Sequence, residues 1–170
     1  MTFREYTMYD SVDVPVIPSN AQAVAGYVGG KWPTYFELVK QFPHIPKLSI
    51  AISAAENARC LDVETGDATN SEAAAWVKRQ HQLGCKRPIL YTSVSNWRAL
   101  EDALKAGGVT RGLPGRRHYR RWSAHYTLIP HRCTRRCGFG FRGKAAATQY
   151  TNKALGRNLD ASLCAHDFLR

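Results

Sequence analysis

Short runs of apolar residues recur along the first hundred positions, and each has the length of a β-strand rather than that of a helix. Apolar runs of this length between turn signals are typical of buried strands. The pattern predicts four such strands, at Ala23–Val28, Leu48–Ile52, Cys60–Val63 and Pro88–Val94. An apolar and aromatic run that ends just before Asp10 is a candidate for the first strand.

Two segments between or after these strands carry apolar residues at helical spacing. Ser71–Leu83 is rich in alanine, and Thr69 followed by Glu72 three positions later has the spacing of a capping box. Asn96–Ala106 repeats the helical spacing and stops at the glycine pair 107–108. Both segments are therefore predicted to be helices.

Strands that alternate with helices are expected to be parallel and joined by right-handed crossovers, as in a barrel or a doubly wound sheet. The alternation breaks after position 108. There the sequence predicts loops at Arg111–Arg121 and His131–Gly143, and strands at Trp122–Thr127 and Ala145–Tyr150.

The size of the chain fits one compact domain spanning residues 1–170. Its 170 residues are 44% hydrophobic and 22% charged, which is the balance of a globular protein with a core. The aromatic residues Tyr27, Trp32, Tyr35 and Phe36 lie close together in sequence and are expected in that core. The chain holds no apolar run long enough to cross a membrane, and its first ten residues do not resemble a signal peptide.

Positive charge is concentrated in one third of the chain. Lys and Arg number 24 against 13 for Asp and Glu, for a net charge of +11, and residues 103–159 contain 13 of the basic residues and no acidic one. Such an excess favours an anionic partner. An anionic cell-wall polymer is the favoured partner, followed by an acidic surface in a phage particle. Nucleic acid is a weaker candidate because no reading helix, zinc finger or RNA-binding motif is present, and a solvated basic face is the plain alternative.

The five cysteines are too few for a disulfide scaffold. His131, Cys133 and Cys137 lie close enough in sequence to invite a zinc interpretation. A structural zinc site usually has two paired sets of ligands, and only one is present here. A loop disulfide or free thiols at Cys133 and Cys137 are therefore favoured, and no metal site is predicted.

The segment 61–64, Leu-Asp-Val-Glu, is the clearest candidate for catalytic chemistry. Side chains alternate along a strand, so Asp62 and Glu64 should share one face, with their β-carbons roughly 6 to 7 Å apart. They should lie at the carboxyl end of the strand, where parallel α/β folds place active sites. Like charges this close disfavour double ionisation, so one carboxyl should keep its proton to higher pH. The plainer interpretation is that Asp62 is a turn residue and that Glu64 or Asp67 caps the next helix.

A wider set of motifs surrounds this pair in a defined order. The set comprises Tyr9-Asp10-Ser11, Leu61-Asp62-Val63-Glu64, Trp122-Ser-Ala-His-Tyr-Thr127, Ala147-Thr-Gln-Tyr150 and Leu159-Asp-Ala-Ser-Leu163. The chain thereby resembles the glycoside-hydrolase-like barrel domains of bacteria and phages, which are distant relatives of the family 25 lysozymes. The resemblance spans almost the whole chain and implies a modified, shortened (β/α) TIM-like barrel with an acidic pocket.

The resemblance also implies roles for individual residues. Glu64 would be the general acid that protonates the glycosidic oxygen, and Asp62 would stabilise developing charge or assist the acetamido group of the substrate. Asp10 and Asp160 would complete the floor of the pocket. The residues expected to contact sugar rings are Tyr91, Trp122, His125, Tyr126 and Gln149.

The function predicted on these grounds is hydrolysis of peptidoglycan glycan strands, in the manner of a muramidase and without a cofactor. A noncatalytic module that binds cell wall or belongs to a phage particle is the alternative. Two features favour that alternative. His125 stands where related domains often carry an acid, and 170 residues are few for a barrel that typically runs to about 250.

Overall fold

The computed structural model describes residues 5–109 and 145–169, which form a mixed α/β structure. The elements in this part of the chain are, in order, β1 (Tyr6–Asp10), β2 (Ala23–Tyr27), α1 (Tyr35–Gln41), β3 (Lys47–Ala51), β4 (Cys60–Asp62), α2 (Asn70–Gln82), β5 (Ile89–Tyr91), α3 (Trp97–Ala106), β6 (Ala147–Thr151) and β7 (Asp160–Cys164). The elements predicted at 111–143, and with them Cys133 and Cys137, lie outside the described residues.

One sheet contains all seven strands of the described residues, in the order β5-β4-β3-β2-β1-β7-β6. The first five strands pair in parallel, as the alternation of strands and helices predicts. The alternation that predicts parallel strands ends at position 108, and beyond it β7 runs antiparallel to both β1 and β6. The connection from β6 to β7 at 152–159 is short, which suits antiparallel neighbours, since parallel ones need a crossover of a dozen or more residues.

The sheet is curled so that its two edges approach each other. Tyr91 lies on the edge strand β5 and Gln149 on the opposite edge strand β6, yet the Tyr91 hydroxyl donates a hydrogen bond to Gln149 Oε1 at 3.2 Å. Neighbouring strands are about 4.8 Å apart, so the edges of a flat sheet of this size would be roughly 29 Å apart. The described strands therefore form a half-barrel with a concave inner face.

Apolar side chains cover both faces of the sheet. The concave face is filled by residues from every strand, namely Met8, Ala23, Ala25, Leu48, Ile50, Cys60, Ile89, Ala147 and Cys164. On the convex face, Leu61, Val63 and Leu90 pack against α2 and α3, while Val24 packs against α1 through Leu38. Both predicted helices are confirmed, and the capping box of α2 is present.

Helix α1 is a finding that the hydrophobic pattern does not predict. Its seven residues bury only Leu38 completely, so its apolar periodicity is too short to recognise. The placement of Trp32 and Phe36 in the core is wrong, because they are 52% and 63% exposed. They lie on the outer side of α1 and of the loop before it, and Tyr27 and Tyr35 are only partly buried.

The amino end of the half-barrel is closed by the C-terminal segment. Phe168 is fully buried against the concave core, and the Arg59 guanidinium donates to the carbonyl oxygens of Leu169 and Phe168 at 2.7 and 3.4 Å. Among the described residues, this closure leaves the carboxyl end of the strands as the open end. None of the three described helices combines the length and apolar character needed to cross a lipid bilayer.

The packing of α1 on β2 depends on the absence of a side chain at Gly26. A β-carbon there would lie 2.5 Å from Leu38 Cδ1 and 2.8 Å from Thr34 Oγ1. We expect Gly26→Ala to push α1 outward and to lower the free energy of unfolding by about 1–3 kcal/mol, the usual effect of overpacking. Urea unfolding measures this difference, and an unchanged midpoint relative to wild type would contradict the packing described.

Candidate active site

The polar residues of the concave face lie two positions along their strands beyond its apolar core residues. Side chains two positions apart on a strand share a face. On five strands the residue two positions after a core residue is polar, in the pairs Met8/Asp10, Ala25/Tyr27, Cys60/Asp62, Ile89/Tyr91 and Ala147/Gln149. The strands β1, β2, β4 and β5 are parallel, and so these side chains form a polar layer at the carboxyl end of the half-barrel.

Asp160 joins this layer from the opposite direction. It is the first residue of β7, and the antiparallel register places it directly opposite Asp10, the last residue of β1. A reversed strand therefore begins at the edge where its neighbour ends. The two aspartates line a pocket of about 160 Å³, together with Ser11, Val12, Tyr27 and Asn158.

Asp62 is the most deeply buried acid of the layer. Its exposed fraction is 3%, and the hydroxyl of Tyr27 donates to its Oδ2 at 3.3 Å. Its Oδ1 is buried and has no hydrogen-bond partner among the described residues. Burial raises the pKa of Asp62 to about 8, with a further contribution from the charges of Glu64 and Asp67. The Asp62 carboxyl is therefore largely protonated at neutral pH.

The pKa of Asp10 is raised as well, by burial and by a different neighbouring charge. Burial raises its pKa to about 8, and the negative charge of Asp160 across the strand pair adds to the effect. The backbone N–H of Ser11 opposes the shift by donating to the carboxylate. The Oδ1 atom of Asp10 is buried without a partner among the residues described. The layer thus holds two aspartic acids that are neutral or nearly so at pH 7.

Two tyrosines lie beside the acids on the concave face. Burial raises the pKa of Tyr27 far above its usual value, and the charges of Asp10 and Asp62 act in the same direction. Burial likewise raises the pKa of Tyr91, followed by the charges of Glu64 and Asp62. Both phenols therefore remain protonated and act as hydrogen-bond donors. Tyr91 directs its hydroxyl to Gln149, which is itself buried.

Glu64 lies two residues beyond the end of β4 and is partly exposed. Leu61 and Val63 are both buried in the convex core, as the alternation predicts, and the charge of Glu64 contributes to the raised pKa of Asp62. The expected pair of neighbouring carboxyls is thus present, but burial of Asp62 raises its pKa more than the neighbouring charge that the sequence pattern indicates.

Helix α2 is capped by Thr69 and Glu72, and not by Glu64 or Asp67 as the plainer interpretation has it. The Glu72 carboxylate accepts from the backbone N–H of Thr69 at 2.8 Å and from its hydroxyl at 2.6 Å. These contacts serve the N-terminus of α2 within the capping box that the sequence predicts.

The structure brings together six of the nine predicted site residues, which are Asp10, Asp62, Glu64, Tyr91, Gln149 and Asp160. The other three, Trp122, His125 and Tyr126, lie outside the described residues and stay predictions. The sequence analysis places Tyr27 only in the core. Its position two residues after the buried Ala25 is the signal that its side chain shares the face of the acids.

No group of three or more potential ligands is arranged to hold a metal ion within residues 5–109 and 145–169. Cys60, Cys85 and Cys164 are free thiols there, and Cys60 and Cys164 are buried. Burial raises the pKa of both buried thiols, so they belong to the apolar filling of the concave face.

Comparisons of the chain with protein-family models, with curated proteins and with solved structures give no match. The likeness to glycoside-hydrolase-like barrel domains therefore stays a prediction that rests on the motifs alone.

The raised pKa of Asp62 has a consequence for stability. Between about pH 4, where an aspartate of the unfolded chain titrates, and pH 8, the folded protein binds more protons than the unfolded one. Raising the pH through this window therefore favours unfolding. Asp62→Asn removes the titrating group, so the variant should lose less stability than wild type across the window, by at least about 1.4 kcal/mol, the value of one pKa unit.

Melting temperatures at pH 4, 6 and 8 measure this effect. The gap between Asp62→Asn and wild type should widen in favour of the variant by about 2–4 °C or more as the pH rises. The exposed residue Asp102 on α3 provides the control, since Asp102→Asn should follow wild type at every pH. A gap that is the same at pH 4 and pH 8 would show that Asp62 is ionised in the folded protein.

Proposed function

We propose that the protein hydrolyses the glycan strands of peptidoglycan by acid/base chemistry, in the manner of a muramidase. The observation that carries the proposal is the convergence of Asp10, Asp62 and Asp160 from three strands onto the open end of a curled sheet. We further propose that this sheet is part of a modified, shortened (β/α) barrel. In barrels of that kind the carboxyl ends of the strands form the active site.

The chemistry of the layer suits glycoside cleavage. The reaction needs a carboxylic acid that delivers a proton to the leaving oxygen and a second carboxyl group that stabilises the positive charge at the anomeric carbon. Acids whose pKa values differ because their surroundings differ can divide these roles. Asp62 is neutral and buried, whereas Glu64 is partly exposed and close enough to influence it.

In the proposed mechanism Asp62 and Glu64 share one proton, which Asp62 holds in the resting site and passes to Glu64 when substrate binds. Glu64 delivers this proton to the glycosidic oxygen, because it is the member of the pair that solvent, and hence substrate, can reach. Asp62, now a carboxylate, assists the acetamido group of the substrate or stabilises the developing charge. Asp10 and Asp160 form the floor below the sugar. Tyr91 and Gln149 supply polar contacts and an aromatic face, and Trp122, His125 and Tyr126 are proposed to complete the sugar-binding surface.

The charge of the chain supports a cell-wall substrate. Peptidoglycan and its attached polymers are anionic, and a net charge of +11 increases the rate of encounter with such a surface at low salt. The mechanism that we propose requires no cofactor, because protons and carboxylates perform every step.

The burial of Asp62 favours a second candidate function. The residue is only 3% exposed, so a sugar ring that binds at the surface of the site does not reach it. A module on the cell wall or in a phage particle that binds sugar without cutting it would have this property. Such a module would be retained on purified cell walls without releasing soluble fragments.

Release of dye from labelled cell walls tests the catalytic proposal. Removal of a general acid typically lowers the rate by about 10²–10⁴-fold, so we expect Glu64→Gln to lose activity to that extent while it keeps binding to walls. The control variant Asp102→Asn replaces an exposed acid on α3 and should keep full activity.

The outcomes separate the two candidate functions. Equal cleavage by wild type and Glu64→Gln would remove Glu64 from the mechanism. Retention of both proteins on the wall without any cleavage would establish the noncatalytic module.

A further inference from the structure

Val63, the residue that precedes Glu64, has both backbone polar groups held by hydrogen bonds. Its N–H donates to the carbonyl oxygen of Tyr91 at 2.9 Å, which extends the pairing of β4 and β5 beyond the strand ends. Its carbonyl oxygen accepts from the hydroxyl of Thr92 at 2.8 Å. Glu64 follows Val63 directly, so the direction of the Glu64 side chain depends on how the Val63 backbone is held.

Asn96 hydrogen-bonds to the Thr92 hydroxyl, the group that donates to the carbonyl oxygen of Val63. Its Nδ2 lies 2.9 Å from Thr92 Oγ1 and 3.3 Å from the carbonyl oxygen of Val63. Since the Thr92 hydroxyl is a donor to Val63, it must accept from Asn96. Thr92 is fully buried, so a lost partner cannot be replaced by bulk water without cost.

A second asparagine fixes the orientation of Asn96. Asn70 Nδ2 donates to Asn96 Oδ1 at 2.8 Å, and Asn96 Nδ2 lies 3.0 Å from Asn70 Oδ1. Asn70 is the first residue of α2, and Asn96 immediately precedes α3. The amide pair thus ties the starts of two helices to the backbone at the end of β4.

The chain continues from Glu64 into a turn that is also fixed. The backbone N–H of Asp67 donates to the carbonyl oxygen of Glu64 at 3.1 Å, and the capping box of α2 begins two residues later at Thr69. The backbone of Glu64 is therefore held on both sides, by the Val63 carbonyl before it and by this turn after it.

We propose that Asn96, acting through Thr92 and the carbonyl of Val63, is a positioning residue for Glu64. This inference rests on the proposed function, because it gives Asn96 a role in directing the acid that protonates the glycosidic oxygen. Asn96 touches no substrate in this arrangement. Its contribution is to keep the Glu64 carboxyl at the mouth of the site and close to Asp62.

The kinetic test compares variants that change only the amide or the hydroxyl. Asn96→Ala and Thr92→Val should lower kcat about 10- to 100-fold with little change in KM, because a displacement near 1 Å is sufficient for a loss of that order. Thr92→Ser keeps the hydroxyl and should retain most of the activity. Asn57→Ala removes another amide hydrogen bond to α2, from Gln80, and serves as the matched control with unchanged kcat.

A titration of Asp62 by carboxyl ¹³C NMR tests the same inference without any need for catalysis. The charge of Glu64 contributes to the raised pKa of Asp62. Displacement of Glu64 in Asn96→Ala or Thr92→Val should therefore lower the pKa of Asp62. The same substitutions made on a Glu64→Gln background should have no such effect, because the charge is already absent.

Each outcome of the titration decides the inference. A fall that occurs only when Glu64 is present supports positioning, even if wild type cleaves no glycan and the proposed function fails. An equal fall on both backgrounds, or no fall on either, overturns it. If Asn96→Ala does not fold, the contrast between Thr92→Val and Thr92→Ser decides by the same criteria.

Discussion

Burying carboxyl groups beside one another costs free energy unless they keep their protons, and this constraint governs the open end of the curled sheet. Asp62 and Asp10 are both buried enough that their pKa values rise to about 8, and each has a buried oxygen without a partner among the described residues. A fold does not gain stability from such groups at neutral pH. Their presence at one end of the sheet therefore points to a role other than stability.

The rest of the fold holds these groups in place. An apolar layer from the seven described strands fills the concave face below them, and the C-terminal segment with Phe168 closes the far end. Outside the sheet, α2 and α3 bury Leu61 and Val63, which fixes the alternation that turns Asp62 inward. Apolar packing in the rest of the fold thus offsets the cost of burying the carboxyl groups at this end.

Local pattern predicted most elements of the fold and most of the described site. Strands β2 to β5 and helices α2 and α3 follow from apolar periodicity, and the pairing of Asp62 with Glu64 follows from the two-residue repeat of a strand. The apolar pattern does not predict helix α1, because a single fully buried residue, Leu38, leaves no period to detect.

The local pattern of apolar and polar residues does not predict how distant segments pair. The reversed direction of β7 and the curl that brings Tyr91 to Gln149 arise from contacts between segments far apart in sequence. The burial of Asp62 and the exposure of Trp32 are likewise properties of the assembled layers. Alternation along β2 could have assigned Tyr27 to the acidic face, since it follows the buried Ala25 by two residues.

A crystal structure of Glu64→Gln soaked with a peptidoglycan disaccharide fragment tests the central claim most directly. The variant keeps the shape of the site and leaves the sugar uncut. The account predicts one sugar ring at the carboxyl end of the strands, in contact with Asp62 or Tyr27 and above the pair formed by Asp10 and Asp160. An empty carboxyl end in crystals saturated with the fragment, or a fragment bound only elsewhere on the surface, would contradict it.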